Sequence, residues 1–445
     1  MINLFENYQF NSKILHESLK SAGYDNYTIS LEDDGFLPDD VSSPYKFFSN
    51  NPTHHSDKPL FFNEVSVPPF WEIVGNNEMA EIKDMGELRG KIFYQSNFKN
   101  RVVKHVEWLD KQQRLRTIDH YNKDGYKYSQ TIYDLEGKAI MKKYLDRYGK
   151  EIFYINLITQ DYVLNWKNKV ILFDSKEKFI IYYLRKANID LSEVIFNSLS
   201  SPFIVLYHMN EIGKGILVWQ EKSQGIIPGN MKLMFDSSSN RKYSVIIPDK
   251  QEYSTIYNQA EIHEKKRIYS GGYLYKYYKY NQCTKNILTL TNSDQIIKIE
   301  ELIRNNPDYQ FHIAAVTEMS NKLLDINVYE NVHLYPIITN EMILKLYNKC
   351  DIYLDLNKGS ELLDAVKSAF DFNMLVFASN ETVHNTLFTA PENILPSQEL
   401  EKLNLILRKM TKSKIYYQER LNLQSNHANQ ITEQKFTHII CESLH

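Results

Sequence analysis

The chain has 445 residues and a nearly balanced charge, with 52 lysines and arginines against 55 aspartates and glutamates. This length is enough for two or three domains. The net charge of -3 argues against a nucleic-acid-binding protein, because such proteins usually carry a basic stripe or patch. No stretch approaches the roughly 18 apolar residues of a membrane-spanning helix, and the first residues lack the basic and apolar regions of a signal peptide.

The cysteines and histidines give no indication of a metal site. Cys283, Cys350 and Cys441 lie far apart and form neither a disulfide framework nor a metal-ligand spacing, which is typical of a protein from the reducing cytoplasm. His54 and His55 are adjacent, which is poor geometry for two ligands of one ion. We therefore expect neither a metal nor another cofactor.

Glycine is scarce, at 15 residues, and tyrosine is abundant, at 32. Glycine lets the backbone approach a bound phosphate, and its share here is about half the usual one. Tyrosine favours pleated strands and offers a flat apolar face with a polar tip. The composition indicates few phosphate-binding loops and an extensive β-surface.

The beginning of the chain predicts one helix and one strand. The helix is capped near Asn11 and ends at Gly23, and the strand covers residues 27–31. Pro38 and Pro44 then exclude a continuous helix. This order of elements is typical of the start of an α/β domain.

Residues 65–187 change to an apolar pattern with a period of two. Gly125, Gly137 and Gly149 recur at intervals of 12 residues, and each supplies the positive φ of a tight turn. Successive antiparallel strands fit this interval, so the segment predicts an inserted, extended β-meander. Its last strands are expected at residues 151–157, 169–173 and 179–184.

Aromatic side chains of the meander are candidates for contact with a partner. Neither face of the strand around residues 126–132 is fully polar, so the sheet is expected to be covered on at least one side. Ordinary cross-strand pairing of the tyrosines is the alternative. The candidate residues for binding an acceptor or a partner are Trp71, Trp108, Tyr126, Tyr128 and Tyr133.

The pattern after the meander returns to that of an α/β domain. Residues 190–198 predict a helix, and the apolar run at residues 202–208 predicts a buried parallel strand. Together with residues 1–64, the segment 188–268 forms the first predicted Rossmann-like domain, and the tail 425–445 is a candidate to pack back onto it. Further strands are expected at residues 216–220 and 243–247.

A second Rossmann-like domain is predicted over residues 269–424. Gly271 and Gly272 mark the linker before it. Alternating strands and helices, with helices expected at residues 293–304 and 360–370, then indicate a doubly wound parallel sheet. A long helix is expected at residues 401–421. Two such domains indicate an α/β protein with the GT-B architecture of nucleotide-sugar transferases.

The second domain lacks the groups that hold a sugar nucleotide in retaining transferases of that architecture. These enzymes place two glutamates, eight residues apart, where a strand meets a helix, and helix amides hold the diphosphate. In this chain the first position is Leu356, which cannot accept a hydrogen bond, and the second is Asp364. The glycine-rich loop between them is reduced to Gly359. The expected cation that neutralises the leaving diphosphate is also absent, with Asp294 in its place.

An active transferase with a drifted donor site is the alternative. In that case Glu361, shifted in register, and Lys358 bind the donor. At the first turn of a helix, however, Glu361 is expected to be a solvated capping charge. The chain thus predicts a degenerate donor site without catalytic residues.

Two segments carry a resemblance to a known family. The first is MINLFENYQF with the following LHESLKSAGYDNYTISLEDDGFLPDDVSSPYKFF, and the second is NKGSELLDAVKSAFDFNMLVFASNETVHN. Both resemble the GtfB family, the stabilising subunits of the transferase that glycosylates serine-rich repeat adhesins of Gram-positive bacteria. The resemblance extends through the meander and spans nearly the whole chain.

The resemblance implies a GT-B fold with an inserted β-sheet domain, and a 2:2 assembly with the catalytic subunit GtfA. It implies that this chain binds the Ser/Thr-rich adhesin while GtfA transfers N-acetylglucosamine (GlcNAc) from UDP-GlcNAc, before export by the accessory Sec system. The implied location is the cytoplasm, with a peripheral position on the inner face of the cell membrane as an alternative. A third hypothesis is a lectin-like module that binds glycosylated peptide.

Overall fold

A computed structural model describes residues 1–52, 57–96, 98, 100–236 and 238–444. The chain forms two compact units, one of Met1–Gly272 with Thr432–His445 and the other of Tyr273–Ile431. The first unit contains both the meander and the α/β segments on either side of it. The domain boundaries drawn from the sequence stay a prediction.

The first unit contains a parallel sheet and an antiparallel sheet. Its strands in chain order are β1 (Ile2–Phe5), β2 (Tyr27–Ser30), β3 (Val41–Ser42), β4 (Glu72–Gly75), β5 (Met79–Asp84), β6 (Glu87–Tyr94), β7 (Val103–Leu109), β8 (Leu115–Tyr121), β9 (Lys127–Tyr133), β10 (Ala139–Leu145), β11 (Glu151–Asn156), β12 (Tyr162–Trp166), β13 (Lys169–Phe173), β14 (Glu193–Phe196), β15 (Gly213–Val218), β16 (Arg241–Ile247) and β17 (Ile268–Ser270). Its helices up to the linker are α1 (Phe10–Ser21), α2 (Pro44–Ser49), α3 (Lys176–Lys186), α4 (Ser201–Met209), α5 (Gly229–Met234), α6 (Lys250–Gln259) and α7 (Ile262–Lys265).

The parallel sheet has the order β3-β2-β1-β14-β15-β16-β17. All its pairs are parallel, and β1 and β14 are neighbours although the whole meander lies between them in sequence. The chain order reverses between these two strands, which makes their carboxyl ends the topological switch point, the usual ligand position of such sheets.

The antiparallel sheet contains β4 to β13 in sequential order, which confirms the predicted meander. Its turns share one hydrogen-bonding pattern. The side chains of Asp134 and Asp146 each accept hydrogen bonds from two backbone N–H groups of the turn that follows. The turn glycines have positive φ, +81° at Gly137 and +82° at Gly149. In the earliest copy Gln113 takes this place, with φ of 61°.

One face of the meander belongs to the core of the first unit. Tyr144 and Phe153 stack with centroids 4.3 Å apart in a cluster that also contains Ile2, Phe48 and Phe179. A second, smaller core around Ile82 and Val106 holds the first strands of the meander together. The sheet is therefore covered on one side by the chain's own parallel sheet and helices.

Three predicted elements of the first unit are wrong. Residues 179–184, predicted as a strand, lie in helix α3, because the Ser175 side chain caps its first turn by accepting from the Lys178 N–H at 3.3 Å. Residues 190–198, predicted as a helix, contain the strand β14 at Glu193–Phe196. Residues 202–208 lie in helix α4, where Pro202 stands in the first turn, a position that proline favours. Short apolar runs do not distinguish a buried strand from a buried helix.

The second unit contains a six-stranded parallel sheet with the order β20-β19-β18-β21-β22-β23. Its strands are β18 (Asn286–Thr291), β19 (Gln310–Ala315), β20 (Val332–Tyr335), β21 (Ile352–Asp355), β22 (Leu375–Ser379) and β23 (Ile394–Leu395). Its helices are α8 (Ile299–Asn305), α9 (Asn321–Leu324), α10 (Asn340–Lys349), α11 (Ala365–Asp371), α12 (Lys402–Lys412) and α13 (Lys414–His427). The doubly wound sheet is as predicted, and its switch point lies between β18 and β21.

The predicted long helix at residues 401–421 is two helices, α12 and α13. They part at Ser413, whose extended backbone ends the first and whose side chain caps the second by accepting from the Tyr416 N–H. The last helix of the chain, α14 (Glu433–Ser443), belongs to the first unit.

Candidate functional site

The position expected for a donor carboxylate lies directly after β21, at the switch point of the second sheet. Leu356 occupies it and is 0% exposed, within the apolar core of the second unit. Its carbonyl oxygen accepts a hydrogen bond from the Ile297 N–H at 3.0 Å. No polar side-chain atom is available at this position to grip a sugar hydroxyl.

The loop after Leu356 is tightly packed against the loop after β18. The Asn357 amide donates to the Asn292 side-chain oxygen at 3.2 Å and accepts from the Thr291 hydroxyl at 2.9 Å. A Cβ atom on Gly359 would lie 2.2 Å from that Asn292 oxygen. Gly359 is therefore required for this internal contact, which brings protein groups to the place where a glycine-rich loop would approach a phosphate.

A histidine that the sequence did not single out connects both ends of this loop. His384 Nδ1 lies 2.5 Å from the carboxylate of Asp355, and its Nε2 lies 2.7 Å from the carbonyl oxygen of Gly359. The hydrogen bond with Asp355 raises the pKa of His384 to about 9. The protonated ring donates to both partners and so fixes the loop. A lone histidine in NETVHN carries no pattern that predicts this role.

The remaining residues of the predicted site also have partners within the protein. Glu361 accepts from the Val366 N–H at 3.0 Å, and burial raises its pKa. Lys358 lies 3.5 Å from Glu381, and Asp294 accepts from the Ser320 hydroxyl at 3.1 Å. Each side chain is engaged with its neighbours in the second unit.

The acidic residue at the second donor position has a distorted backbone. Leu363 and Asp364 have left-handed φ angles of 53° and 49°, so helix α11 begins at Ala365 and not at the predicted residue 360. The predicted helix at residues 293–304 likewise begins late, at Ile299. Both helices that follow the switch-point strands thus begin about five residues later than predicted, and Glu361 lies before the first turn of α11.

The five aromatic candidates of the meander occupy different environments. Tyr128 is only 3% exposed and packs edge-on against Tyr45, with centroids 5.5 Å apart. Its face of β9 packs on helix α2 of the same unit, so Tyr128 lies inside the unit and not on its outer surface; a role in binding stays a prediction. Four candidates are half-buried: Trp71, Trp108, Tyr126 and Tyr133.

Two of these half-buried residues have defined polar partners. The indole N–H of Trp108 donates to Asp119 at 3.0 Å, and the hydroxyl of Tyr126 accepts from the Asn51 amide at 2.9 Å. The tyrosines and tryptophans of the meander thus contact neighbouring strands and are at the same time partly exposed to solvent. Sequence patterns alone do not separate these uses.

The first unit has a cavity of about 380 Å³ between the meander and the carboxyl ends of β1 and β2. Lys176 lines the cavity, and its amine lies 2.6 Å from the carboxylate of Glu6 and 2.9 Å from that of Glu32. His120 in its wall has a pKa lowered to about 3 by burial, so it is neutral at physiological pH. The other charged and aromatic lining includes Asp33, Tyr128, Lys142 and Tyr144.

A second crevice, of about 400 Å³, lies at the switch point of the first sheet. It is bounded by the residues that follow β1, β14 and β15 and by the start of α1. Its described lining consists of amides, hydroxyls, two carboxylates and one phenyl ring, without a lysine or arginine. Such a lining does not fit a phosphate group.

Metal ligands and membrane-spanning helices were sought in the part of the chain that the structure describes. Within it, no group of three or more histidine, cysteine, aspartate or glutamate side chains is placed to hold a metal ion, and no helix is both long and apolar enough to cross a membrane. His54 and His55 lie outside the described residues.

Two α/β units with doubly wound parallel sheets, one carrying a β-meander, define a GT-B-like glycosyltransferase fold, with the buried Leu356 at the position expected for a donor carboxylate. The pneumococcal O-GlcNAc transferase GtfA, crystallised with UDP and GlcNAc, shares this fold, with a TM-score of 0.52 at 11% identity over 100% of this chain and 99% of that chain. A chain in the crystal structure of the GtfA/B complex bound to UDP and GlcNAc is much more similar, with a TM-score of 0.89, 37% identity and 99% of both chains covered.

Sequence relatives give the family. The chain is 38% identical over 440 residues, 99% of both sequences, to the "UDP-N-acetylglucosamine--peptide N-acetylglucosaminyltransferase stabilizing protein GtfB" of Streptococcus agalactiae. Family models of the GtfB N-terminal, middle and third domains match residues 2–48, 71–174 and 176–258, and a model of the "GftB/GlyA-F C-terminal domain" matches residues 287–424. The chain belongs to the GtfB family.

Proposed function

We propose that this chain is a non-catalytic, transferase-shaped subunit that stabilises a GtfA-type glycosyltransferase and binds its Ser/Thr-rich polypeptide acceptor during O-linked GlcNAc transfer. The observation that carries the proposal is the donor position of the second unit. A buried leucine stands where a carboxylate is needed, and the adjoining loop is held by His384, Asp355 and Gly359. The relatives' name, a stabilising protein, agrees with this assignment.

Electrostatics also disfavour a sugar nucleotide in this pocket. A leaving diphosphate needs cationic or N–H groups aimed at its oxygens. The carboxylate of Glu361 lies at the loop, and both nearby cations are already paired, protonated His384 with Asp355 and Lys358 with Glu381. Donor binding would require breaking this pair and displacing the loop.

The meander is the proposed surface for pairing with the GtfA-type subunit, in a 2:2 assembly. Its outer strands β4 and β13 are the edges of the ten-stranded sheet, and an unpaired edge is a ready site for strand addition. Val170 and Leu172, both on β13, are 73% and 68% exposed. Neighbouring apolar side chains this exposed on an edge strand favour a partner there.

Binding of the acceptor by this subunit explains why a transferase would retain a non-catalytic partner. A held polypeptide presents many serines to the neighbouring active site at high effective concentration, so that one binding event supports several transfers. The natural acceptor would be an adhesin destined for accessory Sec export, and the complex would work in the cytoplasm, either free or at the inner face of the membrane.

Co-expression with a GtfA-type subunit tests the proposal. We expect the pair to elute at the size of a 2:2 complex, and transferase activity on a Ser/Thr-rich polypeptide to require both chains. This chain alone should neither transfer GlcNAc nor bind UDP-GlcNAc saturably. Transfer by the isolated chain, or UDP bound beside Asp364 in a crystal, would overturn the proposal in favour of an active transferase.

A further inference from the structure

The crevice at the switch point of the first sheet has a chemistry that differs from that of nucleotide sites in such folds. In those sites, a glycine-rich turn and a free helix N-terminus receive a phosphate. Here the segment after β1 is Glu6-Asn7-Tyr8-Gln9, without glycine. The crevice lies where nucleotide sites of such folds lie, but it lacks the glycine-rich turn that binds an anion there.

Glu6 fills the place at which an anion would bind. Its carboxylate accepts from the backbone N–H of Ser201 at 2.9 Å and from the Ser201 hydroxyl at 3.0 Å. Ser201 is the first residue of α4, so the positive end of that helix already has its negative partner. Glu6 is also paired with Lys176 at 2.6 Å, so the carboxylate that would repel an incoming phosphate is that of Glu221, which also lines the crevice.

Neutral hydrogen-bonding groups make up most of the remaining wall. Asn197 is 9% exposed; its amide N–H₂ donates to the Ser12 hydroxyl at 2.9 Å and to the Gln220 side-chain oxygen at 3.1 Å. Within the described residues, the Asn197 side-chain oxygen has no hydrogen-bond donor. That oxygen is closed to solvent, so the amides that a ligand in the crevice can reach are the exposed ones of Gln9 and Asn11 at its rim.

We infer that this crevice binds an uncharged, hydroxyl-rich stretch of polypeptide through its backbone amides and serine or threonine hydroxyls. Asparagine and glutamine side chains carry both a donor and an acceptor, as a peptide group does, so they can pair with a backbone whatever its sequence. The carboxylate of Glu221 disfavours acidic segments, whereas that of Glu6 is already paired with Lys176 and Ser201. The volume of about 400 Å³ lies within the range of small ligand sites, roughly 300 to 1,000 Å³.

The inference rests on the proposed function and names the part of the chain that performs acceptor binding. It predicts a preference for acceptors that are rich in serine but poor in acidic residues, because neutral groups pair with hydroxyls whereas the carboxylate of Glu221 repels acidic side chains. We expect the affinity for an uncharged peptide to change less than about twofold between low and physiological salt, since no ion pair is screened.

The test measures binding of a fluorescent, uncharged Ser/Thr-rich peptide to the complex of this chain with a GtfA-type subunit. The conservative probe is the double variant Gln9→Ala/Asn11→Ala, because both side chains are exposed at the rim. The stronger probe is Asn197→Leu. We expect the dissociation constant to rise about threefold or more for the first and about tenfold for the second, as neutral hydrogen bonds are lost.

A matched control changes the same residue types outside the crevice. Gln251→Ala/Asn258→Ala alters two exposed residues of α6 that do not line it, and should leave the affinity unchanged. A second peptide, with some serines replaced by glutamate, should bind about tenfold more weakly than the uncharged one.

The outcomes separate this inference from the proposed function. If the unaltered complex binds the peptide and every crevice variant binds it equally well, the acceptor site lies elsewhere and the inference fails while the function stands. Equal or tighter binding of the glutamate peptide would also overturn it. If the unaltered complex does not bind the peptide, the acceptor-binding function itself fails.

Discussion

Single residues carry the proposal that the second unit does not bind a sugar nucleotide. At Leu356 the loss of a carboxylate is visible in the sequence, and the structure adds that the leucine lies in the apolar core. A carboxylate placed there by mutation would have to be buried without a partner, at a cost of several kcal/mol. Restoring the donor site therefore needs more than one substitution.

His384 makes the stability of the second unit depend on pH. Its pKa is raised from about 6.5 to about 9 by the bond with Asp355, so the folded state binds a proton that the unfolded state releases in this range. The stabilisation is complete below pH 6.5 and is lost as the pH rises through 9, by up to about 3 kcal/mol.

Urea unfolding of the unaltered chain and of His384→Gln, followed between pH 6 and 9.5, measures this effect. Glutamine keeps donor and acceptor groups but does not titrate, so the free energy of unfolding of the variant should fall less steeply with pH. Parallel profiles for the two proteins would show that His384 is not protonated in the folded state.

At the scale of elements, the meander repeats a turn whose glycines are under different constraints. Gly137 has φ of +81° and nothing within 4 Å of the position that a Cβ would take, whereas a Cβ on Gly125, with φ of +87°, would lie 2.3 Å from the Lys58 carbonyl oxygen. The turn at Gly137 thus needs glycine only for its backbone angle. The turn at Gly125 needs it also for the close approach of another segment.

Replacement of each glycine by alanine separates these two requirements. Gly137→Ala should cost about 1–2 kcal/mol in the free energy of unfolding, because a left-handed backbone is unfavourable for alanine. Gly125→Ala should cost clearly more, since the segment at Lys58 must also move. Equal losses in urea unfolding experiments would contradict the close contact at Gly125.

For the whole molecule, the meander joins the core of the first unit on one face and presents exposed edges. Its aromatic residues serve both purposes: Tyr128 is in the core, whereas Tyr126 and Tyr133 are half-buried. Burial on one face leaves Val170 and Leu172 exposed beside each other on the edge strand β13.

Val170→Lys/Leu172→Lys should therefore reduce co-purification with a GtfA-type subunit by about tenfold or more, because two charges would replace apolar contacts in the proposed interface. The matched control is Ile212→Lys/Ile226→Lys, which alters two residues of the first unit that are 86% and 70% exposed. Size-exclusion chromatography of the co-expressed pairs gives the readout. Undiminished pairing of the β13 variant would place the interface elsewhere on the molecule.

The sequence by itself determined the meander and placed Leu356 at the position expected for a donor carboxylate. A period of two with a 12-residue glycine repeat is a local pattern, and so is the absence of a residue type at a motif position. Neither depends on contacts with distant segments, which is why both could be predicted from the order of the residues alone.

Only the tertiary structure decided which apolar runs become helices, as at α3 and α4, and which tyrosines are buried, as at Tyr128. It alone brought His384 to Asp355 and Gly359, and Asn197 to Ser12, a residue 185 positions earlier in the chain. These contacts join segments far apart in sequence, so they depend on the packing of whole sheets and leave no local pattern.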